Sequence, residues 1–235
     1  MSDGKTVNSL FEAIGAVAPA LLPYTQERIV RELWSRPGMG VRERAIVTVT
    51  ALVSRNATSS LPNHFNKALN SGVSAPELAE LLTHLAFYAS WPYAFDAVVV
   101  LHGIYVQRGI DAATLPAISP DLLPEDAVGI TSDQGIAAAT ASVTTASPAL
   151  QHFTEDLLHN EIWRRPVLSP RDRSLATVTA LAAQGHSALL PSYVHHAQLN
   201  GVTNEELGEA LAHIAFYAGW GQALQDARAM QQGLE

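Results

Sequence analysis

Apolar side chains recur at helical spacing along most of this chain. They stand three or four positions apart in two similar stretches, at Leu78, Leu81, Leu82 and Leu85 and again at Leu207, Leu211 and Ile214. This spacing places them on one face of an α-helix. In the first half, the pattern predicts helices over residues 27–35, 42–55, 62–70 and 76–91, with a further helix through residue 107. The sequence therefore indicates an all-α protein.

Polar residues mark where several of these helices begin. Ser74 is followed three positions later by Glu77, and Thr203 is followed in the same way by Glu206. Both pairs fit a capping box, in which each side chain binds the other residue's backbone N–H. Ser169 precedes a proline, which is a common helix start. These signals predict three well-defined helix N-termini.

The chain contains its helical pattern twice. Trp34 recurs as Trp163, 129 positions later, and the same offset aligns the other motifs without a gap. Residues 84–91 read His-Leu-Ala-Phe-Tyr-Ala-Ser-Trp, and residues 213–220 read His-Ile-Ala-Phe-Tyr-Ala-Gly-Trp. The proline-containing residues 111–134 are predicted to form a linker. We therefore predict two tandem copies of one helical unit, residues 1–110 and 135–235, packed as a pseudo-dimer within the chain.

Composition narrows the functional classes. The net charge of −8 disfavours nucleic acid as a partner, and no apolar stretch is long enough for a membrane helix. The N-terminus lacks the apolar stretch of a signal peptide, which favours a cytoplasmic location. Only 15% of residues are charged, which favours an oligomer that hides part of the surface. The absence of cysteine excludes thiol nucleophiles and thiolate metal ligands.

A polar and aromatic stripe is the first candidate site. His84, Tyr88 and Trp91 share one predicted helix face, with Glu80 one turn earlier, where its carboxylate could orient the imidazole. The second copy repeats this arrangement at Glu209, His213, Tyr217 and Trp220. The stripe fits either a pocket for a small oxygenated substrate or packing between the two copies.

A second candidate site follows the Leu-Pro pair of each copy. His64 stands in the first copy where Tyr193 stands in the second, and His195 and His196 come just after Tyr193. His64 could act as a general acid or base, because the ordinary pKa of histidine lies near neutrality. The alternative is a histidine that caps or packs a helix start.

Arginines form the third candidate. Arg44 and Arg173 begin buried helices, where a guanidinium could clamp a substrate carboxylate. They could instead form structural ion pairs, for instance with Glu77 or Glu206. No His-x-x-x-His pair or glycine-rich phosphate loop occurs, so we expect neither a metal nor a cofactor.

Three motifs, each present twice, resemble the carboxymuconolactone decarboxylase family. They occupy residues 34–44, 61–73 and 84–94 of the first copy. The resemblance implies an all-helical unit that dimerises and assembles into hexamers, with sites between units. Because a tandem chain supplies two units, we expect a homotrimer with pseudo-sixfold content.

The resemblance also implies a reaction class. Family members include decarboxylases of carboxylated muconolactones and hydroperoxidases that use a Cys-x-x-Cys pair, and the latter chemistry is excluded here. The family histidine is present as His64, whereas Ser60 replaces the expected glutamate, and the second copy has Leu189 and Tyr193 at these two positions. We expect a cofactor-free decarboxylase that acts on a small carboxylated lactone or keto acid by histidine-mediated proton transfer. A non-catalytic binding protein and a lactone hydrolase or isomerase are the alternatives.

Overall fold

The computed structural model describes residues 3–234, with side chains from residue 10 to residue 233. Every regular element in this part of the chain is helical. None of its helices is both long and apolar enough to cross a bilayer. The all-α prediction is confirmed.

Each repeat contains four main helices after a more irregular N-terminal part. In the first repeat the N-terminal part has α1 (Asp3–Val17), a π-helical segment (Tyr24–Glu32) and a 3₁₀ turn (Leu33–Ser35), and the main helices are α2 (Val41–Ser54), α3 (Leu61–Asn70), α4 (Ala75–Tyr88) and α5 (Trp91–Arg108). In the second repeat the N-terminal part has α6 (Gln134–Thr140), short helices (Val143–Ala146, Pro148–His152), a π-helical segment (Phe153–His159) and a 3₁₀ turn (Ile162–Arg164), and the main helices are α7 (Pro170–Gln184), α8 (Leu190–Leu199), α9 (Asn204–Tyr217) and α10 (Trp220–Leu234). The order of elements thus repeats along the chain.

The predicted helix starts are confirmed. Ser74 and Glu77 form a reciprocal capping box at α4, and Thr203 and Glu206 form one at α9. The Ser169 side chain accepts a hydrogen bond from a backbone N–H in the first turn of α7. Each cap satisfies amide groups that would otherwise lack a partner at the helix end.

The helix predicted to run unbroken over residues 76–91 is wrong at its C-terminal end. The chain leaves the helical conformation after Tyr88, and Ser90 then caps the start of α5. Pro92 explains the break, because its ring would clash with the carbonyl four residues earlier in a continuous helix. In the second repeat Gly219, at φ +120°, occupies the corresponding break. The segment predicted as a helix over residues 27–35 is instead π-helical and then 3₁₀.

The two repeats share their core. Helices α2 and α7 are buried along most of their length and pack against each other at the centre of the molecule. Helix α2 also contacts α9, and α7 contacts α4, so each central helix packs on a helix of the other repeat. The hydrophobic cluster of the first repeat includes Leu168, Ala176 and Ala180 from the second. This arrangement confirms the pseudo-dimer within one chain, and the predicted domain boundaries remain a prediction.

Candidate active site

Two equivalent side-chain clusters lie at the contact between the repeats. Each combines a tryptophan and two residues of the helix after the Leu-Pro pair of one repeat with a histidine and a tyrosine of the other. The first cluster consists of Trp34, His64, Lys67, His213 and Tyr217. The second cluster consists of the positions 129 residues away, namely Trp163, Tyr193, His196, His84 and Tyr88.

A buried arginine–glutamate pair stands behind each histidine. Arg44, which is fully buried, donates to Glu209 at 2.9 Å, and Arg36 donates to the same carboxylate at 2.9 Å and 3.1 Å. In the other repeat, Arg165 and Arg173 bind Glu80 at 2.7 Å and 2.9 Å. Each carboxylate is thereby neutralised by two guanidinium groups from the opposite repeat.

The predicted partners of these arginines need correction. Arg44 and Arg173 do not pair with Glu77 and Glu206, which instead bind Arg42 and Arg171. Arginines two positions apart point about 200° apart around a helix axis, so only one of each pair faces the interior. That Arg44 and Arg173 clamp a substrate carboxylate stays a prediction. In this structure both guanidinium groups already bind glutamate carboxylates.

The glutamates also do not orient the imidazoles, as the sequence suggested they could. Arg44 lies 3.1 Å from Nε2 of His213, and the Thr48 hydroxyl lies 3.0 Å from Nδ1. Because a guanidinium only donates, Nε2 is the acceptor and Nδ1–H donates to the threonine. Burial, then Arg44, Lys67 and His64, lowers the pKa of His213 to about 3. His213 is therefore a neutral ring at ordinary pH.

His84 has the same surroundings in the second cluster. Thr177 lies 2.8 Å from its Nε2 and Arg173 lies 3.4 Å from its Nδ1. Burial, followed by the charge of Arg173, lowers the pKa of His84 well below its usual value. Both histidines were predicted to be catalytic, and their enclosed, fully hydrogen-bonded environment favours a positioning role instead.

Besides the two arginines behind the histidines, three predicted substrate-binding residues lie outside both clusters. Trp91 and Trp220 begin α5 and α10 and are 52% and 57% exposed, because the helix break turns them away from the His84 and His213 faces. His195 is exposed on α8, one position away from the buried His196. Successive residues on a helix point in different directions, so only His196 joins the cluster.

One ring nitrogen of His64 has no hydrogen-bond partner among the described residues. Its Nδ1–H donates to the backbone carbonyl of Ser60 at 2.9 Å, one turn earlier on the chain, and its ring meets Tyr217 edge-on at 5.4 Å. Burial lowers the pKa of His64, the Ser60 carbonyl raises it and nearby Lys67 lowers it. The resting ring is mostly neutral at pH 7, so the lone pair of Nε2 is available to take up a proton.

Tyr217 offers a free hydroxyl donor. The indole N–H of Trp34 donates to its oxygen at 3.1 Å. Among the described residues, none accepts the O–H of Tyr217 within hydrogen-bonding distance. Burial raises the pKa of Tyr217, although the Trp34 hydrogen bond lowers it, so the hydroxyl keeps its proton. It can therefore donate to an oxygen of a bound molecule.

Lys67, like Trp34 and Trp163, is a cluster residue that the sequence patterns did not identify as part of a site. Its Nζ lies 3.2 Å from the centroid of the Trp34 ring, which is a cation–π geometry. Burial lowers the pKa of Lys67 to about 8, and no described carboxylate lies within salt-bridge distance of it. The signal in the sequence was its spacing, three positions after His64 on the same helix face.

The second cluster is closed by its own side chains. His196 is held at Nδ1 by Asp133 at 3.0 Å and at Nε2 by Asn200 at 3.0 Å. Tyr193 is buried, and its ring lies 5.9 Å from that of Tyr88. Burial, with a contribution from Tyr193, raises the pKa of Tyr88 well above its usual value.

The second cluster is covered by α6 and by Asp133, which precedes it at the end of the linker. Asp133 also caps α6 by accepting from two backbone N–H groups, and α6 packs against α8. In the first repeat, α1 occupies the corresponding place in the chain and packs mainly on the Leu21–Pro23 turn rather than on α3. This difference leaves His64 half-buried while Tyr193 and His196 are sealed.

The surface cavities do not coincide with the polar clusters. A cavity of about 550 Å³ is lined by Leu33, Arg36, Phe216 and Trp220, and His64 is not part of its wall. The clusters, rather than this cavity, hold the titratable groups with free hydrogen-bonding capacity that acid–base chemistry needs. Among the side chains between residues 10 and 233, no three histidines or carboxylates gather in a metal-binding arrangement.

Comparisons with known proteins agree with the repeat and with the fold. Similar proteins include the 4-carboxymuconolactone decarboxylase of Acinetobacter baylyi, 33% identical over 79 residues, and the nitrosuccinic acid decarboxylase of Metarhizium robertsii, 31% identical over 68 residues. These matches cover 34% and 29% of this chain, and the chain spans only 59% and 48% of the two relatives' lengths. The sequence model of one family matches residues 19–102 and again residues 148–232, once in each repeat. The chain belongs to the carboxymuconolactone decarboxylase family.

Proposed function

We propose that this protein is a cofactor-free decarboxylase of a small carboxylated lactone or related keto acid, and that the reaction takes place in the first cluster. The observation that carries the proposal is the free Nε2 of His64 beside the unpaired O–H of Tyr217. The two similar proteins from Acinetobacter baylyi and Metarhizium robertsii are both decarboxylases, which supports the reaction class.

Binding of an anionic substrate favours protonation of His64, which can then act as a general acid. The resting imidazole is mostly neutral, so it has no Nε2 proton to give. A carboxylate placed beside the ring raises the pKa of His64, because the opposite charge stabilises the imidazolium. The ring then takes a proton from solvent at Nε2, and Ser60 holds the other nitrogen in place.

Loss of carbon dioxide and proton transfer complete the reaction. As the bond to the leaving carboxylate breaks, its electron pair moves into the substrate as an enolate. The Tyr217 hydroxyl donates to the developing enolate oxygen, where a preorganised donor lowers the barrier. The His64 imidazolium then gives its Nε2 proton to the carbon that lost the carboxylate, and the ring returns to its neutral state.

A non-catalytic binding protein is the second candidate. It is favoured by the position of the Glu209 carboxylate, which is held by Arg36 and Arg44 and is not free to act as a base. Ser60, at the position where the family resemblance predicts a glutamate, contributes only its backbone carbonyl to His64. A binding protein would retain its ligand without releasing carbon dioxide.

Carbon dioxide release tests this proposal directly. Purified protein is incubated with 4-carboxymuconolactone and, separately, with nitrosuccinic acid, and the release is compared for the wild type, His64→Ala and the exposed control His195→Ala. We expect His64→Ala to lose about 10²–10⁴-fold in kcat, as removal of a general acid does, and His195→Ala to keep the wild-type rate. Release that survives in His64→Ala would remove His64 from the mechanism, and no release by the wild type would leave the binding candidate.

A further inference from the structure

The first cluster contains positive charge without a matching negative charge. Lys67 lowers the pKa of His64, and both Lys67 and His64 lower the pKa of His213, as close positive charges do. Glu209, the carboxylate bound by the arginine next to His213, is already shared by Arg36 and Arg44. An incoming anion would therefore meet an ammonium group that no described carboxylate neutralises.

The geometry points to Lys67 as the anchor for a carboxylate group of the ligand, and to one such anion site per chain rather than two. This inference rests on the proposed function for the identity of the site, and it names which residue binds and how many ligands bind. The Lys67 ammonium sits over Trp34, three positions from His64 on α3 and on the same helix face. A carboxylate bound there would stand beside the free Nε2 of His64 and the O–H of Tyr217.

The second repeat provides the internal comparison. His196 replaces Lys67 at the matching position, and Asp133 already occupies it as an internal carboxylate at 3.0 Å. The Asp133 carboxylate, at the end of the linker, therefore takes the place that a ligand anion would have in the second cluster. Gly4 stands 129 positions before Asp133, so the sequence of the first repeat has no aspartate at the matching position. The duplication thus shows one occupied and one open version of the same site.

Affinity for an anion should depend on pH in a defined direction. Lys67 has a pKa of about 8, lowered by burial, so an anion bound to it loses its partner charge as the pH rises through that value. The other titratable groups near it are His64 on its own helix and His213 and Tyr217 on α9. His213, with a pKa of about 3, and Tyr217, with a raised pKa, stay neutral, while His64 gains charge as the pH falls and strengthens binding.

Calorimetric titration with succinate tests the inference, because this dicarboxylate reports binding without needing decarboxylation. We expect one succinate per chain, affinity that falls from about pH 7 to about pH 9, and no binding of the uncharged succinamide. Lys67→Gln should weaken binding at least about tenfold, as expected when a charge-assisted hydrogen bond is lost, and Lys67→Arg should retain most of it. His196→Gln and the exposed His195→Gln should bind as the wild type does.

Each outcome decides the matter. Two succinates per chain, unchanged binding in Lys67→Gln, or the absence of saturable binding by the wild type would overturn the inference. The His64→Ala variant separates it from the proposed function, since it should bind succinate while losing carbon dioxide release. Succinate binding through Lys67 without turnover would reject the decarboxylase and keep the anchor, whereas turnover that ignores Lys67→Gln would do the reverse.

Discussion

The surroundings of His84 and His213 bear on the prediction that these histidines are catalytic. Their sequence context, a histidine one turn from a tyrosine, fits a site, and the structure does place each in a cluster with that tyrosine. The surroundings favour a positioning role, because an arginine donates to one ring nitrogen and a threonine hydroxyl contacts the other. Such contacts between the repeats are not readable from spacing within one helix.

At the residue scale, burial of neutral His213 predicts acid sensitivity of the fold. Its folded-state pKa of about 3 lies below the ordinary value of 6.5, so the unfolded state binds the proton more tightly. Its contribution to stability is therefore complete above about pH 6.5 and is lost as the pH falls towards 3. The loss should reach about 2 kcal/mol by about pH 5.

Urea unfolding at about pH 7 and about pH 5 measures this effect. The matched variant is His213→Gln, which has no titratable ring at this position and should show a smaller loss between the two pH values. An equally steep loss in the variant would mean that other groups cause the acid sensitivity of the wild type.

At the element scale, local signals predicted where helices begin better than where they end. The capping boxes at Ser74 and Thr203 are complete within four residues of sequence, so they could be recognised directly. Pro92 also signalled the helix break in the sequence, but the apolar spacing continues past it and favoured a longer helix. The packing of α6 on α8 could not be predicted, because it depends on a contact between Asp133 and a residue 63 positions away.

The α6 cover leads to a prediction for Asp133. Asp133→Ala removes both the N-cap of α6 and the partner of buried His196, so α6 should open more often. Hydrogen–deuterium exchange of residues 135–140 should become faster than in the wild type. The control is Asp111→Ala, which removes an exposed cap in the linker and should leave α6 unchanged. Unchanged exchange of α6 in Asp133→Ala would show that other contacts hold this cover in place.

At the scale of the whole molecule, the repeat and the all-α fold followed from the 129-residue offset and the helical spacing. Which repeat retains an open site did not follow, although the exchange of His64 for Tyr193 marked the difference. The location of the candidate site depends on the end of the linker, on the arginines that bind glutamates of the other repeat, and on Lys67. Sequence spacing describes one helix at a time, whereas each cluster draws on both repeats.

The exposed face of α5 favours contact with a second copy of the chain, and we propose the homotrimer that the family resemblance implies. Trp91, Phe95, Val99 and Val106 lie near one side of this helix and are 52%, 59%, 74% and 67% exposed. Apolar side chains grouped on one surface favour contact with another protein chain. Light scattering coupled to size-exclusion chromatography should give three times the 25.1 kDa chain mass, and Val99→Glu should reduce it. A wild-type mass of a single chain would contradict the trimer.

The claim that the chemistry lies only in the first cluster is tested most directly by a matched pair of variants, Tyr217→Phe and Tyr88→Phe. Each removes one hydroxyl at equivalent positions, and each hydroxyl oxygen accepts from a tryptophan. Carbon dioxide release by Tyr217→Phe should fall about 10²-fold or more in kcat, because a donor to the enolate is lost. Tyr88→Phe should keep its kcat and lose about 1–3 kcal/mol of stability, because it leaves the buried N–H of Trp163 unpaired. Equal losses of kcat in the two variants, or a loss confined to Tyr88→Phe, would contradict a single active site in the first cluster.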